Sequence, residues 1–140
     1  MAAPTFVDST FLVARYDRAD KFHARARAYL ENLSARRGER IRLILNDYIF
    51  DEVITTLLHR TRRHDLTRTA GEMLRSSRTA EILPVQRAML EKAWTLFSGR
   101  PDKLWSFTDC VSFVMMEDLG LTTALTFDGN FEEAGFLALP

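Results

Sequence analysis

Trp105-Ser106-Phe107-Thr108-Asp109-Cys110-Val111-Ser112-Phe113 joins a helix-start signal to a carboxylate. Ser106 followed three residues later by Asp109 has the spacing of a reciprocal cap, in which each side chain satisfies a backbone amide at a helix N-terminus. Read alone, Asp109 is a capping acid. Two further carboxylates widen that reading. Asp128 follows the apolar run Ala124-Leu125-Thr126-Phe127, and Asp8 follows Phe6-Val7. Two strand-like runs that each end in aspartate point to one sheet edge, around which the fold gathers Asp109 and the other acids.

Working outward, Thr5-Phe6-Val7 reads as a short buried strand, and Asp8-Ser9-Thr10 supplies cap-type residues before the apolar Phe11-Leu12-Val13-Ala14. From Ala19 to about Leu33 the residues Phe22, Ala26, Tyr29, Leu30 and Leu33 share one helical face, and the helix ends before Arg36-Arg37-Gly38. Ile41 to Leu45 gives a second strand. Asn46 is an N-cap for a helix in which Ile49, Val53, Ile54, Leu57 and Leu58 recur at helical spacing, with Glu52 at the border of that stripe. A basic helical arm follows from Arg60 to Arg78, with Leu66, Ala70, Met73 and Leu74 turned inward. Ile82-Leu83-Pro84-Val85 is a strand whose proline assigns it to an edge or an end. Gln86 to Phe97 is a helix facing inward with Met89, Leu90, Ala93, Trp94 and Phe97, closed by Gly99 and Pro101. After the helix through Asp109, Gly120 is the stop, Leu121 to Phe127 a strand, Phe131 to Ala134 a helical turn and Phe136 to Leu139 the last strand. This alternation predicts an α/β three-layer sandwich with a mainly parallel central sheet, in which ligands bind beyond the carboxyl ends of the strands where strand order reverses.

The chain has 140 residues, the size of one ordinary domain (1–140), and 46% of them are hydrophobic against 27% charged, which excludes disorder. No apolar run is long enough to span a membrane, and Met1-Ala2-Ala3-Pro4 does not open a signal peptide. A lone cysteine, Cys110, and three scattered histidines give neither an internal disulfide nor zinc spacing, so a cytoplasmic setting is the default. Cys110 reads as packing, because its neighbours Asp109 and Val111 supply no cation to activate a thiolate. Charge balances, 19 basic residues against 19 acidic, which argues against a simple polyanion binder. Its distribution is uneven: every Lys and Arg lies between Arg15 and Lys103, and six acids with no base follow from Leu104 onward. The positive side is nearly all arginine, which suits phosphate recognition and equally suits a solvated helix face.

Four carboxylates gathered without an internal cation would repel one another and raise each other's pKa, a conflict that a divalent ion resolves. Oxygen donors favour Mg²⁺ or Mn²⁺, which suits phosphodiester chemistry. With Phe6-Val7-Asp8-Ser9, Asn46 and Glu52, the Trp105 to Phe113 stretch, Ala124-Leu125-Thr126-Phe127-Asp128-Gly129-Asn130-Phe131 and the closing Ala134-Gly135-Phe136 to Pro140, the chain resembles the PIN-domain ribonucleases of the VapC toxin type over nearly its whole length. The resemblance implies a single PIN domain and a metal-dependent endoribonuclease, the toxin of a toxin-antitoxin pair, that hydrolyses RNA with a metal-activated water. Its catalytic and metal-ligating residues map onto Asp8, Glu52, Asp109 and Asp128. Asp8 and Asp109 would be the primary ligands of Mg²⁺ or Mn²⁺, with Glu52 and Asp128 acting directly or through water. Ser9 and Ser112 stand as phosphate contacts or as caps. Relatives often carry His or Arg after the Phe-Asp pair; here Gly129-Asn130 stands there, which removes a basic substrate contact. The resemblance further implies an RNA substrate, a cognate VapB-like antitoxin and a homodimer. The arm from Arg60 to Arg78 reads as an RNA track, a solvated face or a protein contact.

Other readings are a non-catalytic PIN-like RNA-binding or regulatory module, a receiver-type phosphoacceptor domain and a haloacid-dehalogenase-like phosphatase. The complete acidic quartet counts against the first. A receiver site needs a lysine near its pocket, and none follows Lys103. The phosphatase needs a second aspartate two residues after the first, where this chain has Thr10.

Overall fold

A computed structural model describes residues 4–36 and 41–140. The chain runs β1 (Thr5–Val7), α1 (Ser9–Tyr16), α2 (His23–Ala35), β2 (Leu43–Asn46), α3 (Asp47–Thr61), α4 (His64–Arg75), β3 (Ala80–Leu83), α5 (Arg87–Gly99), α6 (Phe107–Leu119), β4 (Thr123–Leu125), α7 (Asn130–Glu133) and β5 (Leu137–Leu139). The strands form one sheet in the order β3-β2-β1-β4-β5. Every neighbouring pair is parallel, with Phe6 opposite both Ile44 and Ala124. Parallel strands need long crossovers, and helices on both sides leave the inner strands no wet face. That is why β1 and β2 are continuous apolar runs, with Phe6, Val7 and Leu45 fully buried.

From β1 the chain moves outward through β2 to β3, then crosses back to lay β4 against the other side of β1. The reversal opens a crevice at the carboxyl ends of β1 and β4, the place where open α/β sheets hold ligands. Asp8 is the first residue after β1, and Asp128 lies three residues past the end of β4. Strand β3 ends at Leu83, directly before Pro84, and lies at the sheet edge, so the proline falls both at a strand end and on the edge strand.

Several boundaries differ from the sequence reading for local reasons. Helix α2 begins at His23 rather than near Ala19, because Asp17 accepts from the Ala19 amide and Asp20 from the Phe22 amide. These side-chain turns compete with helix. The expected stop at Arg37 and Gly38 lies outside the described residues. Leu121 is not in β4: its amide donates to Met116 O, completing a left-handed stop at Gly120, whose φ is 68°. Thr126 and Phe127 also fall outside β4, since the Thr126 hydroxyl turns to Asp8 and to the Asp128 amide, and the Phe127 amide to the Thr10 hydroxyl. Strand β2 begins at Leu43 and β3 at Ala80, each about two residues from the expected start. Met73, Trp94 and Phe97, expected inside, are 50%, 58% and 42% exposed.

Candidate active site

Asp8 sits at the end of β1 and caps α1. Its Oδ2 accepts from the Thr10 amide at 3.4 Å, the Thr10 hydroxyl at 2.7 Å and the Thr126 hydroxyl at 2.9 Å. Thr10 Oγ1 accepts from the Phe127 amide and Thr126 Oγ1 from the Asp128 amide, so two threonines stitch the carboxyl ends of β1 and β4 together. Asp8 is 2% exposed. Burial raises its pKa from 3.8 to about 6, against the hydroxyl hydrogen bonds and with help from the nearby charge of Asp109.

Asp109 fills both roles that its sequence allowed. It closes a capping box: its amide donates to Ser106 Oγ at 3.0 Å, and its Oδ2 accepts from the Ser106 amide at 3.0 Å. It is also buried at the crevice, where burial raises its pKa, the Ser106 and Asn130 hydrogen bonds oppose that rise, and the charge of Asp128 adds to it. Asn130 Nδ2 joins the two acids, donating to Asp109 Oδ2 at 3.0 Å and to Asp128 Oδ2 at 3.4 Å. Glu52, one and a half turns into α3, accepts from Ser9 Oγ at 2.5 Å.

The fold therefore links Glu52 through Ser9 to the residue beside Asp8, sets Asp8 near Asp109, and ties Asp109 to Asp128 through Asn130. Among the described residues, none of the four carboxylates takes part in an ion pair with Lys, Arg or His. Nor, among those residues, do any three Asp, Glu, His or Cys side chains stand close enough together to hold a metal ion as arranged. Hydrogen bonds relay between the acids beyond the carboxyl ends of β1 and β4, but among the described residues the acids do not close into a finished ligand set.

The remaining sequence candidates also resolve. Ser112 is fully buried and accepts from Asn46 Nδ2 at 3.4 Å, which makes it part of the α3–α6 packing rather than a surface for phosphate. Cys110 is buried, and desolvation pushes its thiol pKa up, as expected of a packing residue. In the basic arm, Arg60 pairs with Asp20 at 2.9 Å and Arg63 with Asp65 at 2.7 Å. Sequence reasoning missed Thr10, Thr126 and Asn130 as supports of the acids. Each stands two residues from Asp8 or Asp128, the spacing of local side-chain turns, but no linear signal says that Thr126 reaches Asp8 or that Asn130 reaches Asp109.

The PIN domain family model matches residues 5–137. This chain belongs to the PIN-domain family. The 23S rRNA-specific endonuclease VapC20 of Mycobacterium tuberculosis is 29% identical to this PIN domain over 132 residues, covering 94% of this chain and 95% of that protein. The crystal structure of VapC20, described as a Sarcin-Ricin loop cleaving toxin, superposes with a TM-score of 0.83 at 27% identity, covering 96% of this chain and 97% of that one. The FitAcB structure from Neisseria gonorrhoeae shares the fold, with a TM-score of 0.69 at 15% identity over 97% of this chain and 96% of that one. Within the PIN family the chain is thus similar to the VapC-type endoribonuclease toxins, and no helix among the described residues is long and apolar enough to cross a membrane.

Proposed function

We propose that this chain, read as one PIN domain over residues 1–140, is a metal-dependent endoribonuclease toxin of the cytoplasm that cuts 23S rRNA at its sarcin-ricin loop. The observation that supports this most is the pairing of Asp8 and Asp109, two buried acids with raised pKa values facing one crevice at the switch point of a parallel sheet. The near full-length likeness to VapC20 supports the choice of RNA.

The donor set fits a hard dication: all four acids offer oxygen, and the groups that hold them are hydroxyls and amides rather than cations. Asp8 and Asp109 would hold Mg²⁺ or Mn²⁺, with Glu52 and Asp128 contributing directly or through water. When bound, such an ion neutralises the carboxylates and supplies Lewis acidity for phosphodiester hydrolysis. The chain's own residues prepare this. Thr10 and Thr126 both donate to Oδ2 of Asp8 and neither to Oδ1. Ser106 and Asn130 both donate to Oδ2 of Asp109. Each acid thus has one oxygen, Oδ2, on which these hydrogen bonds converge, while its Oδ1 takes none of them.

Two partners belong to this reading, a VapB-like antitoxin and a second copy of the chain. Support for the copy comes from the exposed aromatic group of Trp94 and Phe97, whose rings stack at 5.8 Å and abut Phe107, with Leu104 98% exposed nearby in sequence. The second reading, a non-catalytic PIN-like RNA-binding module, draws on the open spacing of the acids.

One experiment separates the two. Purified chain is incubated with ribosomes or 23S rRNA, with Mg²⁺ or Mn²⁺ or with chelator, and new RNA ends are sequenced. Metal-dependent cleavage is expected, reduced at least about 100-fold in Asp8→Asn and Asp109→Asn, the scale of losing one contact that acts in the transition state. Both variants should keep native circular dichroism, because asparagine offers an acceptor oxygen where Oδ2 now sits. Cleavage by both variants at the wild-type rate sinks the assignment.

A further inference from the structure

A recess of about 230 Å³ opens beside Glu52, between α1, the loop preceding α2, and α3. It is smaller than the sites that take whole drug-sized ligands, and so holds one ring system rather than a dinucleotide. Its apolar wall is Val13 with the edges of Phe22 and Phe127. These two rings stack at 4.4 Å and 7°, and Phe127 stacks in turn on buried Phe11 at 5.7 Å, forming an aromatic column from core to surface. The polar wall is Ser9, Thr10 and Glu52, and Thr10 in turn donates to Asp8, so the recess is one hydrogen bond from that acid.

The loop that shapes the mouth is fixed before any ligand arrives. Asp17 accepts from the Ala19 amide, and Asp20 accepts from the Phe22 amide with one oxygen and from Arg60 with the other. This holds Lys21 at the rim, its Nζ 4.9 Å from the centre of the Phe22 ring. Arg60 has its charge answered by Asp20, whereas Lys21 has no acid within ion-pair distance among the described residues. An ammonium outside any ion pair, at the rim of an aromatic-walled slot that also holds Glu52, has the form of a mononucleotide site. The cation meets a phosphate and the rings meet a base.

We propose that this recess binds the nucleotide adjoining the scissile phosphate, with its base out of the RNA stack and in contact with the edges of Phe22 and Phe127, and its backbone phosphate on Lys21. Resting on the endoribonuclease reading above, the inference makes Lys21 and Phe22 specificity residues outside the acidic quartet. It also requires RNA whose base at that position is free to leave its stack, as in a loop.

The test uses the full chain and an RNA oligonucleotide spanning the cleavage site mapped with wild type, made both intact and with single abasic substitutions on either side of the cut. Lys21→Gln should raise KM about tenfold with kcat nearly unchanged, and should flatten the dependence of log KM on log salt by about 0.7, one phosphate contact on single-stranded RNA. One abasic position should cost wild type about fivefold in kcat/KM, the scale of one edge-to-face aromatic contact, and cost Phe22→Leu much less. Arg87→Gln, an exposed cation on α5 away from the recess, is the control and should leave KM unchanged. An unaltered KM and salt slope in Lys21→Gln, or equal abasic penalties in wild type and Phe22→Leu, overturns the subsite while leaving the nuclease intact. Wild type that cuts no RNA overturns both.

Discussion

Asp8 carries opposed demands of stability and chemistry. Its carboxyl is buried and its pKa stands at about 6, above the 3.8 of an exposed aspartate. The folded state therefore holds the proton more tightly than the unfolded state. The stability this gives is fully present below about pH 4 and is lost as pH rises through 6. A rise of that size costs the folded state roughly 3 kcal/mol at pH 7, an upper figure for one residue. Thermal unfolding in chelator should show the metal-free chain gaining stability from pH 7.5 to pH 5, as far as this group decides it. Asp8→Asn should be more stable than wild type by about 1–3 kcal/mol at pH 7.5, with the gap closing near pH 4. Asparagine can place its oxygen where Thr10 and Thr126 now donate, so those bonds survive. A variant less stable than wild type at pH 7.5 would show that Asp8 is kept for structure. Because a ligand carboxylate must be ionised, the same proton should weaken Mg²⁺ or Mn²⁺ binding below pH 6.

At the scale of elements, α3 and α4 approach closely because position 71 is glycine. A Cβ there would lie 3.1 Å from Ile54 Cδ1 and 3.8 Å from the Phe50 ring. Gly71→Val should destabilise the fold by about 1–3 kcal/mol in denaturant melts, through overpacking between the two helices. A neutral outcome would mean that α4 can shift freely on α3. Helix α4 carries Arg68 and Arg75 of the basic arm beside Asp65 and Glu72, and the structure sharpens what the arm's arginines can do. Arg63 spends its charge on Asp65, while Arg62 caps α3 in a left-handed conformation with φ of 57°. Replacing Arg62, Arg63 and Arg68 together should weaken RNA binding and flatten its salt dependence, by less than three independent phosphate contacts would give. An unchanged slope in a filter-binding titration would return the arm to a solvated face. The elements themselves were legible wherever one local force dominated: the apolar runs of β1 and β2, the Asn46 cap, the Ser106–Asp109 box and the Gly120 stop. Boundaries slipped where side chains bonded to nearby backbone, as in the turns of Asp17 and Asp20 before α2.

For the whole molecule, parallel topology was legible in the alternation of strands with helices, and two strand-like runs followed by aspartate pointed to the shared edge at which Asp8 and Asp128 stand. Linear sequence could not show that Thr126 and Asn130 would bridge the acids, because those bonds join residues brought together only by the crossover from β3 to β4. Nor could it say that the α5 stripe was incompletely covered. Helical periodicity marks a face as apolar without saying whether its cover is the same chain or another. Ala93 on that stripe is fully buried, whereas Trp94 and Phe97 remain 58% and 42% exposed beside Phe107, two residues before Asp109. Large exposed rings in a cluster are the usual anchors of a protein interface, and charge placed among them leaves a desolvated ion on association. Sedimentation equilibrium should therefore give twice the chain mass for wild type at micromolar concentration, and the single mass for Trp94→Glu with native circular dichroism. Since this patch is joined through Phe107 to the capping box of Asp109, the monomeric variant should also cut RNA more slowly. A wild type that sediments as one chain would leave the ring cluster without a second copy to bury it.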